Sequence, residues 1–218
     1  MLRKTLSLLA LSITPMQKLM SILCLAAMLL YFPARAQKTL FSHAAGVAFY
    51  GADDYFSAGL MYAPRINFAV LSETSTFSVG THLGLGGSFD YNYNSYYGTQ
   101  NSVSFFADIP LVVEYNFGNA ATRVAYKKFG GFIGGGYGWH AVTHSENYGD
   151  DYYDDYDYRE SATVHGPVIN GGFRFPIGRA SFGVRVSYLF NDNKDDVYVD
   201  GIGSLAMVFN IGSWVRKR

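Results

Sequence analysis

The sequence predicts an all-β protein, an eight-stranded antiparallel up-and-down transmembrane β-barrel, on three observations. From residue 37 onward, segments of about ten residues keep one face large and apolar and the other small or polar. Short and long connections separate these segments in alternation. No stretch after Gln37 is long and apolar enough for a membrane helix, and none shows a helical period.

Residues 1–36 read as a cleaved signal peptide, and residues 37–218 as the barrel domain. Lys18 opens an apolar run from Leu19 to Tyr31, shorter than the roughly 20 residues of a spanning helix. Pro33-Ala-Arg-Ala36 then places small residues at the −3 and −1 positions of a cut before Gln37. Met1 to Pro15 looks like an extra leader, with Met16 as a second candidate start. The alternative is a retained anchor helix. Leu23 is a poor residue before a lipidated Cys24, and the apolar run continues past it, so lipidation is not expected.

Beyond the leader the chain has no cysteine, which removes disulfides and thiolate metal sites. The leader holds Arg3, Lys4, Lys18 and Arg35 and no acid, so 13 basic residues face 17 acidic ones after it. That balance offers no nucleic-acid surface. The 24 glycines, 18 tyrosines and 17 phenylalanines suit closely apposed strands and interfacial belts.

The expected strands are 40–50, 56–69, 76–89, 102–117, 126–144, 161–176, 180–190 and 197–213. In the second, Leu60, Tyr62, Ile66 and Phe68 oppose Gly59, Arg65 and Asn67. In the third, Phe77, Val79, Leu83 and Leu85 alternate with Ser78, Gly80, His82, Gly84 and Gly86. The fourth sets Val103, Phe105, Ile109, Leu111, Val113, Tyr115 and Phe117 against Ser104, Asp108, Glu114 and Asn116. The fifth pairs Phe129, Ile133, Tyr137 and Trp139 with a glycine face that ends in His140. The seventh alternates most cleanly, Ala180, Phe182, Val184, Val186, Tyr188 and Phe190 against Ser181, Gly183, Arg185 and Ser187. In the eighth, Leu205, Met207, Phe209 and Ile211 share a face.

An even strand count returns both ends to one side. Links near 71–75, 118–125 and 176–179 are then periplasmic, and those near 51–54, 90–101, 145–160 and 191–196 extracellular. A soluble ligand-binding barrel turns its apolar residues inward. Here the small face suits a narrow lumen, which eight strands leave just wide enough for side chains, and the bulky face suits lipid. By parity Arg65, Asp108, Glu114, Arg174 and Arg185 point into the lumen, where charges must pair with one another. A polar plug is the structural reading of this set and an ion pathway the functional one. Phe68, Phe77, Tyr115, Phe117, Phe129, Phe175 and Phe182 fall near one set of strand ends. Phe49, Phe105, Tyr137, Trp139, Tyr188 and Phe190 fall near the other, as two interfacial belts require.

Phe105-Phe-Ala-Asp-Ile-Pro-Leu-Val-Val-Glu-Tyr-Asn-Phe-Gly118 resembles a strand of small outer-membrane β-barrel proteins of Bacteroidota. Phe173-Arg-Phe-Pro-Ile-Gly178 and the strand from Phe182 to Phe190 resemble a later hairpin of the same family, and the Ala36/Gln37 junction its signal cleavage. The resemblance covers nearly all of residues 37–218. It implies a porin-like, OmpA/OmpX-type barrel without a peptidoglycan-binding domain, placed in the outer membrane of a Gram-negative bacterium by the barrel-assembly machinery. The chain departs from the family's aromatic C-terminal residue, running past Trp214 to Val-Arg-Lys-Arg218.

The segment Glu146 to Glu160 carries seven acids against Arg159, among them Asp150, Asp151, Asp154, Asp155 and Asp157. It reads as a solvated loop. Weak divalent-cation binding and partner contact are the alternatives, since hard cations collect carboxylate oxygens, but the spacing is not that of an EF-hand. The interleaved tyrosines offer contact area at low entropy cost. The histidines His43, His82, His140, His144 and His165 match no nucleophile motif, and there is no Gly-x-Ser-x-Gly elbow. The glycine run 130–138 lacks the Gly-Lys-Ser/Thr ending of a phosphate loop. The expectation is therefore a monomeric, non-enzymatic protein without a cofactor, acting through its outer loops, with outer-membrane lipid and lipopolysaccharide as neighbours. A small-solute channel is the alternative, followed by a lipid-modifying or proteolytic enzyme that would use His82 and His140.

Overall fold

The computed structural model describes residues 40–210 except 53–54, 95–97, 123, 126–127, 151–152, 179 and 193–198; Leu40, 89–102 and 146–159 are described by backbone alone. The leader, Ile211 and most of the 191–196 link lie outside the described residues. The strands are β1 (Leu40–Ala52), β2 (Tyr55–Ser72), β3 (Ser75–Thr81), β4 (Leu83–Asn94), β5 (Gly98–Phe117), β6 (Gly130–Asp150), β7 (Tyr153–Ile177), β8 (Ala180–Phe190) and β9 (Gly201–Asn210). All pairings are antiparallel, β2 and β5 each pair with both β3 and β4, and β1 pairs with both β2 and β9, so the sheet closes on itself. The result is an up-and-down barrel of eight ribbons, because β3 and β4 are halves of one.

The break falls at His82. Register carries across it without a shift, from Arg65 opposite Gly80 to Tyr62 opposite Leu83, and from Thr81 opposite Leu111 to Gly84 opposite Asp108. That register sets Pro64 and Pro110 beside Thr81 and His82. Proline has no N–H to give the ladder, so hydrogen bonding lapses there without a change of direction.

Alternation along each strand separates two environments. Leu60 is 72% exposed, and Leu85, Phe105, Leu111, Ile133, Ile169 and Val186 are also exposed. Their neighbours at odd spacing are buried or half-buried. Water around so much apolar wall would be unfavourable at about 25 cal/mol per Å²; hydrocarbon removes that cost. The eleven residues of β8, at about 3.3 Å each and a tilt of about 40°, rise about 28 Å, the height of the ~25 Å apolar band of such barrels. Exposed Phe68, Phe117, Phe129 and Phe175 rim one end, and Phe49, Phe56, Phe105, Tyr137, Trp139 and Phe190 the other. The interior is more mixed than a small-residue lumen. Ala44, Ala48, Ala63 and Ala206 pack there with Met61, Phe106, Val112, Val168, Leu189 and Ile202.

Two expected loops prove to be strand. Residues 90–94 and 98–101 continue the β4–β5 hairpin, paired from Gly84–Asp108 out to Asn94–Gly98. Residues 145–150 and 153–160 continue the β6–β7 hairpin, paired out to Asp150–Tyr153. Tyrosine favours strands, and polarity on both faces hides the alternation that would have revealed them. Because β5 also pairs with β6 out to Thr99–Gly149, the two hairpins form one four-stranded blade. The expected fifth and eighth strands also start later, at Gly130 and Gly201.

The blade leaves the barrel at Gly166. There φ is 156°, and a Cβ would collide with the carbonyl oxygen of Phe190. Pairing of β7 with β8 stops at Val168–Leu189, and the Asp192 N–H donates to the His165 carbonyl at 2.9 Å as the chains part. On the blade side of Gly166, β7 holds thirteen residues, Tyr153 to His165, about 43 Å along the strand.

Candidate functional site

The barrel interior is filled in two tiers. Parity alone brings the five charged residues inward: Arg65 from β2, Asp108 and Glu114 from β5, Arg174 from β7 and Arg185 from β8, all buried.

Glu114 is the hub of the tier nearer the short turns. Its Oε1 accepts from Arg185 Nη1 at 2.6 Å and from Asn170 Nδ2 at 2.7 Å, while Arg174 Nη2 lies 3.8 Å from Oε2. Arg174 Nη1 donates to Asn116 Oδ1 at 2.8 Å, and Asn116 Nδ2 donates to Ser78 Oγ at 2.8 Å. The guanidinium carbons of Arg174 and Arg185 each stand 4.3 Å from the centre of the Phe132 ring. A Cβ on Gly134 would come within 2.9 Å of Asn170 Oδ1, so the glycine face of β6 leaves room for this network.

The connection from β5 to β6 closes this end. Asn119, Ala120, Ala121 and Thr122 are buried within it. Arg65 Nη2 donates to the Ala120 carbonyl at 3.3 Å, and Asn67 Nδ2 to the Ala121 carbonyl at 2.8 Å. The Gly118 N–H donates to the Thr74 carbonyl at 2.7 Å, and the Thr122 hydroxyl to the Glu73 carbonyl. Gly118 and Ala120 take φ values of 66° and 59°, which fold the loop back on itself. From the sequence this link is only a periplasmic connection; its residues 118–122 fold inward against Arg65 and Asn67 as a plug.

The second tier lies toward the blade. Ser57 Oγ donates to the Tyr55 hydroxyl at 2.7 Å, which stands 3.1 Å from His140 Nε2, and His140 Nδ1 is 3.2 Å from Asp108 Oδ1. The imidazole thus stands between the Tyr55 hydroxyl and the Asp108 carboxylate. His140 is fully buried, stacked on Phe106 at 5.3 Å between centroids and tilted against Tyr50. The serine hydroxyl donates to a tyrosine and does not touch the imidazole, so this row is not a nucleophile–base pair. His82 is buried with its Nδ1 3.4 Å from Arg185 Nη1, whereas His140 is held by Asp108 and Tyr55. Between the tiers lies a cavity of about 10 Å³, lined in part by Tyr50, His82, Asp108, Ser187 and Ser204, room for about one water.

His144 faces inward, 2.7 Å from Ser104 Oγ, whereas His165 faces outward against the Tyr137 hydroxyl at 2.9 Å. Asp150, Asp154, Asp155 and Asp157 belong to the strands of the blade, and Asp151 lies outside the described residues. Sequence reasoning set Asn67 and Asn116 on the inward face without giving them a partner, and it missed Tyr50, Phe106, Phe132, Asn170 and Asn210. The signal was the pairing of inward glycines with inward aromatics: a Cβ on Gly84 would strike the Tyr50 hydroxyl, and one on Gly86 would come within 2.8 Å of Phe106.

Fold and interior define a small transmembrane β-barrel with a side-chain-filled lumen and a plugged end. No family model matches the chain, and no curated protein matches it. Solved structures similar to it are small outer-membrane barrels. Ail, the attachment invasion locus protein of Yersinia pestis, is 13% identical over 78% of this chain and 95% of its own, with a TM-score of 0.48. Neisserial surface protein A is 12% identical over 79% of this chain and 95% of its own, at 0.40. The N-terminal β-barrel domain of OprF from Pseudomonas aeruginosa is 12% identical over 80% of this chain and all of its own, at 0.39.

Proposed function

We propose that this chain is a monomeric, non-enzymatic surface protein of a Gram-negative outer membrane, of the small porin-like kind seen in Bacteroidota. It contacts partners through the blade. The observation that carries the reading is the one-sided extension of β4–β7 past the barrel rim, built from the Tyr-, Asn- and Asp-rich segments 90–101 and 145–160. Length and composition there serve contact with something outside the membrane, since hydrocarbon would penalise them. The blade end is extracellular and the plugged end periplasmic. Lipid and lipopolysaccharide surround the apolar wall, and the barrel-assembly machinery inserts it. The Glu114 network and the 118–125 plug are structural, and they oppose free flow through the lumen.

The test is a variant in which 146–159 is replaced by a two-residue turn. It should retain the heat-modifiable gel mobility of a folded barrel. Cells displaying the full chain should bind immobilised extracellular proteins or glycans above vector-only cells, and the shortened variant should fall to background. A steady current across planar bilayers, with no binding difference between the two forms, would replace this reading with the channel.

A further inference from the structure

The tier around Glu114 is unbalanced in charge. Arg65, Arg174 and Arg185 are all buried there with a single carboxylate. One oxygen of Glu114 is held by Arg185 and Asn170, and the other lies 3.8 Å from Arg174 Nη2, too far for a hydrogen bond. Asp108, the second lumen acid, is held by His140 in the other tier. The remaining partners of the arginines are neutral: Asn116 Oδ1 for Arg174, and Asn210 Oδ1 and the Ala120 carbonyl for Arg65.

A guanidinium stays charged and carries five N–H donors. Arg65 Nε, Arg174 Nη2 and Arg185 Nε are buried and make no hydrogen bond. Orphaned donors of this kind are rare in native interiors, and a surplus of two buried positive charges is more costly than the missing bonds. A water would accept hydrogen bonds but leave the charge; an anion answers both.

We propose that a monatomic anion of chloride size occupies the lumen among Arg65, Arg174 and Arg185. Two of these guanidiniums rest against the Phe132 ring, and the third donates to the Ala120 carbonyl. One unpartnered nitrogen on each arginine suits a single atom better than a phosphate or a carboxylate, which would ask for more donors. The plug then closes over the ion, so it is taken up as the barrel folds and is held in place rather than conducted.

Bromide is the probe. Crystals of the unaltered protein grown in sodium bromide should show one anomalous peak within hydrogen-bond reach of the three arginines. The unfolding midpoint of the protein in vesicles should rise saturably with sodium chloride, against sodium gluconate of equal ionic strength. Arg174→Met should abolish that difference; if it does not fold, Arg65→Gln takes its place. No bromide peak at the site, ordered water only, equal midpoints in the two salts, or a chloride effect that survives in the variant would each overturn the proposal.

Discussion

Replacing Glu114 with Gln keeps the size of the side chain and one acceptor oxygen for Arg185 and Asn170, and removes only the charge. Three buried guanidiniums would then face no carboxylate in their tier. Breaking a buried ion pair by neutralising one partner costs about 3–5 kcal/mol. The retained acceptor argues for the lower end, about 3 kcal/mol, or about a hundredfold in the folded-to-unfolded ratio. The assay is urea unfolding from lipid vesicles in chloride-free buffer, followed by the fluorescence of Trp139 on the outer wall. The double variant Glu114→Gln/Arg185→Met should lose less than the sum of the two singles, because the positive charge nearest Glu114 leaves with it. Exposed Glu73→Gln is the control and should shift stability by less than about 0.5 kcal/mol. If Glu114→Gln matched that control, or if the double variant lost the full sum, the lumen charges would not be the coupled unit described here.

Two further substitutions test the wall and the packing. Leu111 sits midway between Phe105 and Phe117 on the exposed face of β5. Leu111→Arg should cost about 2–4 kcal/mol in a bilayer, measured by the same titration; a neutral result would mean that water, not lipid, meets this face. Gly84→Ala should destabilise by about 1–3 kcal/mol through overpacking against Tyr50. Tyr50→Phe in the same chain should recover part of that loss on the same curve, and no recovery would place the strain elsewhere.

The barrel was legible because its signal is repeated and local. Alternation in β2, β5 and β8 assigns each residue to wall or lumen, and the short turns near Glu73 and Gly178 fix antiparallel order. That same alternation sent Arg65, Asp108, Glu114, Arg174 and Arg185 inward. The blade was not legible, because Tyr, Asn and Asp on both faces give no contrast between two solvents. A period-2 pattern exists only where one side meets something unlike the other.

Sequence by itself determined the strand class, the closure into eight ribbons and the inward set of charges, since each follows from chemistry within a few residues of chain. Tertiary structure decided what those charges touch. Asn170 and Arg185 are 56 and 71 residues from Glu114 in the chain, and Ala120 is 55 from Arg65. Such pairs are set by strand register and by which loop folds inward, and both emerge only when the sheet closes and every ribbon acquires two neighbours.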